Sequence, residues 1–149
     1  MEAVFAHVGI TVSDLDKSVK FYEDVFGFTC RNRTSFDEKF LGAAPTLYRL
    51  ENTVSNVAFM VSPNGITLEM FQFIPQQSKT EVTPWDLPGY THLALMVDDV
   101  PVFAEQMREK GVEFCMDVMD RFDGGHWVFV RDPDGNMIEV MEPMRKKKD

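Results

Sequence analysis

Residues 7–28 read HVGITVSDLDKSVKFYEDVFGF, and residues 92–114 read HLALMVDDVPVFAEQMREKGVEF. Laid over each other at an offset of 85 residues, His7 meets His92, Val12 meets Val97, Asp14 meets Asp99 and, just beyond, Cys30 meets Cys115. A second match follows at an offset of 70, where NGITLE at 64–69 aligns with DGNMIE at 134–139. The chain therefore reads as two similar modules, about 1–75 and 90–144, joined by a polar, proline-containing linker at about 75–89. Two repeats make a duplicated single domain over residues 1–149 rather than a solenoid, which needs at least three.

Each module shows the same order of signals. Val8, Ile10 and Val12 alternate as a half-buried strand does, so a strand is expected over 6–12 and its repeat over 91–97. Leu15, Val19, Tyr22 and Phe26 then fall at helical spacing. Ser13 or Asp14 serves as the cap and Gly27 as the stop. The second helix is expected over 100–110, with Pro101 in its first turn and Gly111 past its end. Further strands are expected at 28–36, 46–52, 56–62 and 66–74 in the first module, and at 112–119, 126–131 and 136–142 in the second. Pro63-Asn64-Gly65 and Asp132-Pro133-Asp134-Gly135 mark the last turns.

Composition narrows the functional classes. The 149 residues are 44% hydrophobic and 26% charged, a globular balance with enough apolar surface for one core. The longest unbroken apolar runs, 57–61 and 93–97, are only five residues, so no membrane span is expected. Residues 1–4 carry no basic n-region, so no secretory signal is read and a cytoplasmic location is expected. Fifteen basic against 24 acidic residues leave a net charge of −9. Four of the basic residues lie in the tail at 145–149, so residues 1–144 carry 11 basic and 23 acidic residues, a net −12. That field repels nucleic acid and anionic membranes. Cys30 and Cys115 are too few for a disulfide scaffold and suit a reducing compartment.

Two of the three histidines, His7 and His92, share one place in the repeat, and Glu69 and Glu139 share another. Each glutamate lies in an apolar strand, where a carboxylate is costly without a partner. A lone strand histidine is ordinarily structural, and a lone strand glutamate ordinarily faces water. Here both types coincide in a repeat found without reference to them. Two imidazoles and two carboxylates gathered by a pseudo-twofold suit one divalent transition metal, with positions left for water or substrate. His126 follows Gly124-Gly125 and has no histidine at its repeat position. It reads as an acid or base near a pocket, or as the start of a strand. Trp85, Tyr90 and Trp127 are candidates for lining a pocket, or else pack in the core.

These residues carry a resemblance to a known family. HVGITV at 7–12, Asp14-Leu15, FYEDVFGF at 21–28, GITLE at 65–69, GYTH at 89–92 and RDPDGNMIE at 131–139 resemble the vicinal oxygen chelate superfamily. This is also called the glyoxalase/bleomycin resistance/dioxygenase family, and the resemblance covers about residues 4–143. It implies an α+β fold of two βαβββ modules forming a cupped mixed sheet. It also implies metal ligands at His7, Glu69, His92 and Glu139. A His-Glu-His-Glu set is similar to the glyoxalase I (lactoylglutathione lyase) branch. There a glutamate, Glu139 or Glu69 in this chain, takes a proton beside a carbonyl, an enediolate forms on the metal, and the proton returns to the neighbouring carbon. The implied cofactor is one divalent metal: nickel, cobalt, zinc, manganese or iron. The implied partners are a small-molecule carbonyl substrate and a second copy of the chain.

Two positions depart from that branch. Thr11 stands where an arginine usually meets the glutathione carboxylate, and Phe73 stands where an asparagine is common. Both departures remove groups that hold a charged tripeptide and point to a substrate not based on glutathione. His126, Phe73 and Tyr90 are the substrate-contact candidates. Other branches make other demands. Methylmalonyl-CoA epimerases commonly place glutamine at the position of Glu69. Ring-cleaving iron dioxygenases use two histidines and one carboxylate. The metal-free drug-binding members lack the ligand set.

Overall fold

The computed structural model describes residues 2–76, 78 and 84–144. The basic tail at 145–149 and part of the expected linker, residues 77 and 79–83, lie outside the described residues. The chain divides into two compact units, Met1–Thr80 and Glu81–Asp149. Hydrogen bonding defines two mixed sheets, one in each unit.

In the first unit β1 (His7–Thr11) leads into α1 (Leu15–Phe26). Asp14 caps the helix by accepting from the Lys17 backbone N–H at 3.0 Å. Gly27, at φ +68°, ends it in the left-handed conformation that glycine adopts without a Cβ penalty. β2 (Thr29–Phe36), two short helices, α2 (Glu38–Gly42) and α3 (Pro45–Tyr48), then β3 (Val54–Val61) and β4 (Thr67–Ile74) complete the unit. The strand order is β1-β4-β3-β2, with β1 parallel to β4 and the rest antiparallel.

The second unit repeats this plan with β5 (Leu93–Met96), α4 (Val100–Glu109), β6 (Glu113–Phe114), β7 (Met119–Asp120), β8 (His126–Arg131) and β9 (Met137–Met141). Its order is β5-β9-β8-β6, with β7 also on β8 and β5 parallel to β9. Asp99 caps α4 through the Val102 backbone N–H at 2.9 Å. Among the described residues no helix is long and apolar enough to cross a membrane.

Two expected strands are corrected. Residues 46–52 are not a strand, because Pro45 starts α3 and both Arg49 (φ +54°) and Asn52 (φ +51°) take left-handed backbone that a ladder cannot hold. Residues 112–119 keep only the two-residue pieces β6 and β7 on either side of a loop.

Alternation divides each sheet into two faces. Against α1 lie Ala58, Met60, Leu68 and Met70, all nearly or fully buried with Val19 and Tyr22 of the helix. Against α4 lie Val128, Val130, Ile138 and Val140, each 0% exposed, with Val100, Ala104 and Met107. On the opposite faces the odd-numbered residues of β4 and β9 emerge. Equivalent turns feed these strands. Ser62 Oγ accepts from the Ile66 backbone N–H at 2.9 Å. Asp132 Oδ1 accepts from the backbone N–H groups of Asp134 and Asn136 at 2.9 and 2.8 Å. Gly65 (φ +89°) and Gly135 (φ +85°) make both turns possible.

Candidate functional site

The parallel pairing of β1 with β4 sets His7 opposite Thr67 and Gly9 opposite Glu69, all on the face away from α1. His7 Nε2 lies 3.1 Å from Glu69 Oε2. The imidazole is half exposed, and the carboxylate is only 12% exposed. Gly9 has no side chain to cover the carboxylate, and an added Cβ would meet the Phe71 ring at 3.6 Å. On the other side Phe59 of β3 is in register with Glu69. The acid therefore sits in a shallow apolar setting with one polar partner.

The second unit builds the same pair. Ala94 is opposite Glu139, Phe129 is in register with Glu139, and His92 directly precedes β5. His92 Nε2 lies 3.3 Å from Glu139 Oε2, with both side chains about a quarter exposed or less. The Thr91 hydroxyl meets His92 Nδ1 at 2.9 Å, leaving Nε2 to face the carboxylate. Trp85 stacks on the imidazole at 5.5 Å and the Phe129 ring meets it edge-on at 5.1 Å. Phe59 and Phe129 went unnoticed in the sequence, although the 70-residue offset that aligns the glutamates aligns them as well. Among the described residues these donors form two-membered pairs, with no cluster of three or more histidine, cysteine or acidic side chains.

The other candidates fall in different places. Thr11 and Phe73 share the face of His7 and Glu69 by alternation along β1 and β4. Phe73 is half-buried among aromatic rings. Tyr90 is fully exposed. His126 is the first residue of β8, the second of its two expected places, and not beside Glu139. It alternates with Trp127 and Phe129 and so points to the α4 face, away from Glu139. There its Nδ1 meets Glu142 Oε1 at 2.8 Å and its Nε2 lies 3.4 Å from Asp120. The same Glu142 oxygen accepts from the Val100 backbone N–H at 3.2 Å, where a carboxylate complements the positive end of α4. Beside it Arg121 grips Asp123 with two hydrogen bonds, 2.8 and 2.6 Å.

Comparison with known proteins places this architecture. A family model for the Glyoxalase/Bleomycin resistance protein/Dioxygenase superfamily matches residues 4–140. A probable lactoylglutathione lyase of Vibrio parahaemolyticus is 30% identical over 139 residues, covering 91% of this chain and 88% of its own. The crystal structure of a glyoxalase family protein from Bacillus cereus superposes with a TM-score of 0.79 at 21% identity, covering 95% and 94% of the two chains. The fosfomycin resistance protein FosX of Listeria monocytogenes, in complex with Mn(II) and sulfate, superposes at 0.65 with 19% identity over 96% and 94%. With the family match running through both repeats and both His–Glu pairs, this chain belongs to the glyoxalase/bleomycin resistance protein/dioxygenase superfamily.

Proposed function

We propose that this chain is a divalent-metal-dependent lyase or isomerase of the glyoxalase I type. Its ligands are His7, Glu69, His92 and Glu139, and its substrate is a small carbonyl compound. The observation that carries this reading is the recurrence of one histidine–glutamate pair at equivalent places in both units, at 3.1 and 3.3 Å. Neighbouring ligands in an octahedral shell with bonds of about 2.1 Å stand about 3.0 Å apart, close to both spacings. Two neutral nitrogens and two carboxylate oxygens form a donor set that nickel, cobalt, zinc, manganese and iron all accept. The four ligands come together within one chain or across the two copies of a homodimer.

A bound divalent ion would supply Lewis-acid polarisation of the substrate's carbonyl oxygen. The chain's own groups do the rest. Each histidine offers Nε2, and in the second unit Thr91 and Trp85 hold the ring in place. Glu69 or Glu139 takes the proton from the carbon beside the carbonyl, holds it on a carboxylate oxygen and returns it to the neighbouring carbon. Phe59 and Phe129, in register with the two acids, give each an apolar neighbour. Thr11 and Phe73 leave no charged group at the two positions discussed above, which favours a substrate other than a glutathione adduct.

The test is elemental analysis of tag-free full-length protein, with titration of the metal-stripped chain. About one divalent ion per chain is the expected result. No metal, and none taken up on titration, overturns the reading.

A further inference from the structure

Resting on the metal-dependent reading above, we propose that the substrate is an uncharged carbonyl compound bearing an aromatic ring, which the aromatic cluster beside Glu69 receives.

The cluster lies in the first unit. Beyond Glu69, the next residues of β4 on the same face are Phe71 and Phe73, with rings 6.0 Å apart and within 5° of parallel. The segment 37–49, which carries α2 and α3, brings more rings to them. Phe40 stacks on Phe36 at 4.3 Å, Phe36 lies 6.3 Å from Phe71, and Tyr48 lies 6.4 Å from Phe73. This is not the core, which lies on the α1 side of the sheet. Phe36, Tyr48, Phe71 and Phe73 are only half-buried, and Phe40 is 52% exposed. Contiguous rings left open to solvent mark a surface that binds something apolar.

Charge sets what that is. On this side of the sheet the residues in register are His7, Thr11, Asn32, Thr34, Thr67 and Glu69, with apolar and small neighbours. None of these register-paired residues is a lysine or arginine; Arg31 lies in the bulge between Cys30 and Asn32 and has no register partner. Arg33 points to the opposite side, where it pairs with Asp16 of α1. A ligand with carboxylates or phosphates needs cationic donors, whereas a neutral aryl compound needs only apolar surface. Residues two apart on a strand are separated by about 6.6 Å, so Phe71 lies about 7 Å and Phe73 about 13 Å along β4 from Glu69. A ring joined to the reacting carbonyl through two or three bonds spans the first of these distances.

The experiment uses the full chain loaded with the divalent metal it takes up, and calorimetric titration with three probes. These are acetohydroxamate, 3-phenylpropanohydroxamate and S-hexylglutathione. The two hydroxamates offer the same chelating oxygens and differ in the ring. Burying one phenyl ring predicts about tenfold or more tighter binding of the phenyl compound, and weaker binding of S-hexylglutathione than of either. Phe73→Ala and Phe40→Ala should each reduce the phenyl preference at least about threefold. If Phe73→Ala fails to fold, Phe40→Ala at its exposed site carries the comparison. Affinities within about twofold for the two hydroxamates, or tightest binding of S-hexylglutathione, overturn the inference while leaving the metal reading standing. Absence of metal uptake overturns both.

Discussion

Glu139 in β9 and Glu142 just past its end are three residues apart and face opposite sides of one sheet, so replacing them should have opposite consequences. Glu142 is almost fully buried and bridges three elements. One of its oxygens accepts from the α4 backbone at Val100, 3.2 Å away, and meets His126 Nδ1 at 2.8 Å. Glu142→Ala removes a charge-assisted hydrogen bond, typically worth about 1.5–3 kcal/mol. It also removes a favourable charge at a helix N-terminus, worth about 0.3–1 kcal/mol. The expected loss is about 2–4 kcal/mol, or roughly 5–15 °C in Tm for a chain of this size. Urea unfolding followed by circular dichroism measures it. A cycle with His126→Ala should show a coupling of about 1 kcal/mol. Metal stoichiometry in Glu142→Ala should stay at the wild-type value, because the residue lies on the helix side. Glu139→Gln should behave in the reverse manner. It keeps stability within about 0.5 kcal/mol, since a neutral amide replaces a carboxylate in an apolar strand, and it loses most metal uptake and turnover. A loss below about 0.5 kcal/mol for Glu142→Ala, or strict additivity with His126→Ala, would refute the network. Full metal uptake in Glu139→Gln would refute the assignment of the faces to separate tasks.

Three further outcomes are expected. His7→Ala and His92→Ala should each weaken metal uptake strongly in titrations of the stripped chain, and an effect from only one of them would break the shared-ligand reading. Gly27→Ala should cost about 1 kcal/mol in urea unfolding, because the backbone at φ +68° is strained for any L side chain even though the nearest atom to an added Cβ is 3.9 Å away. Asp132 is pushed above the usual carboxylate range by burial, against the hydrogen bonds from Asn136 and Asp134 that favour its ionised form. The fold therefore retains a proton that the unfolded chain has released. This residue's contribution to stability is present at acid pH and is lost as pH rises through the raised value. Relative to Asp132→Asn, the wild type should lose stability as pH rises above the ordinary aspartate range, and a pH-independent difference would contradict the shift.

The features that the sequence made legible are those written twice. The cap at Ser13 or Asp14, the helix stop at Gly27 and the strands around Glu69 and Glu139 were legible, and the structure forms them with Asp14 as the cap; the histidines and glutamates, expected as one group of four, stand as one pair in each unit. What was misread lies where the two modules differ in structure, as at 46–52 and at 112–119. Residues 46–52 were expected as a strand, but the helix start at Pro45 and two left-handed residues overrode it. Of the two readings of His126, the start of a strand is the one the structure forms, as the first residue of β8, and alternation from Phe129 puts it on the helix side. Phe59 and Phe129 were hidden because aromatic residues in strands ordinarily mean core, and only the register shows them beside the two acids.

The interleaving of the two faces has a consequence for how such a chain changes over generations. Along β4, Leu68 and Met70 are committed to the interior while Glu69, Phe71 and Phe73 emerge on the opposite face; along β9, Ile138 and Val140 alternate with Met137, Glu139 and Met141 in the same way. Each strand thus carries two messages in alternate letters. Substitutions in the outward set alter that surface and leave the packed interior alone, so the surface can drift without eroding the scaffold. Insertion or deletion of a single residue exchanges the two messages, sending carboxylates inward and methionine outward. Diversity in proteins built this way is therefore expected to accumulate by substitution within the strands and by length change only in the segments between them, as with the 37–49 insertion that distinguishes the first unit from the second.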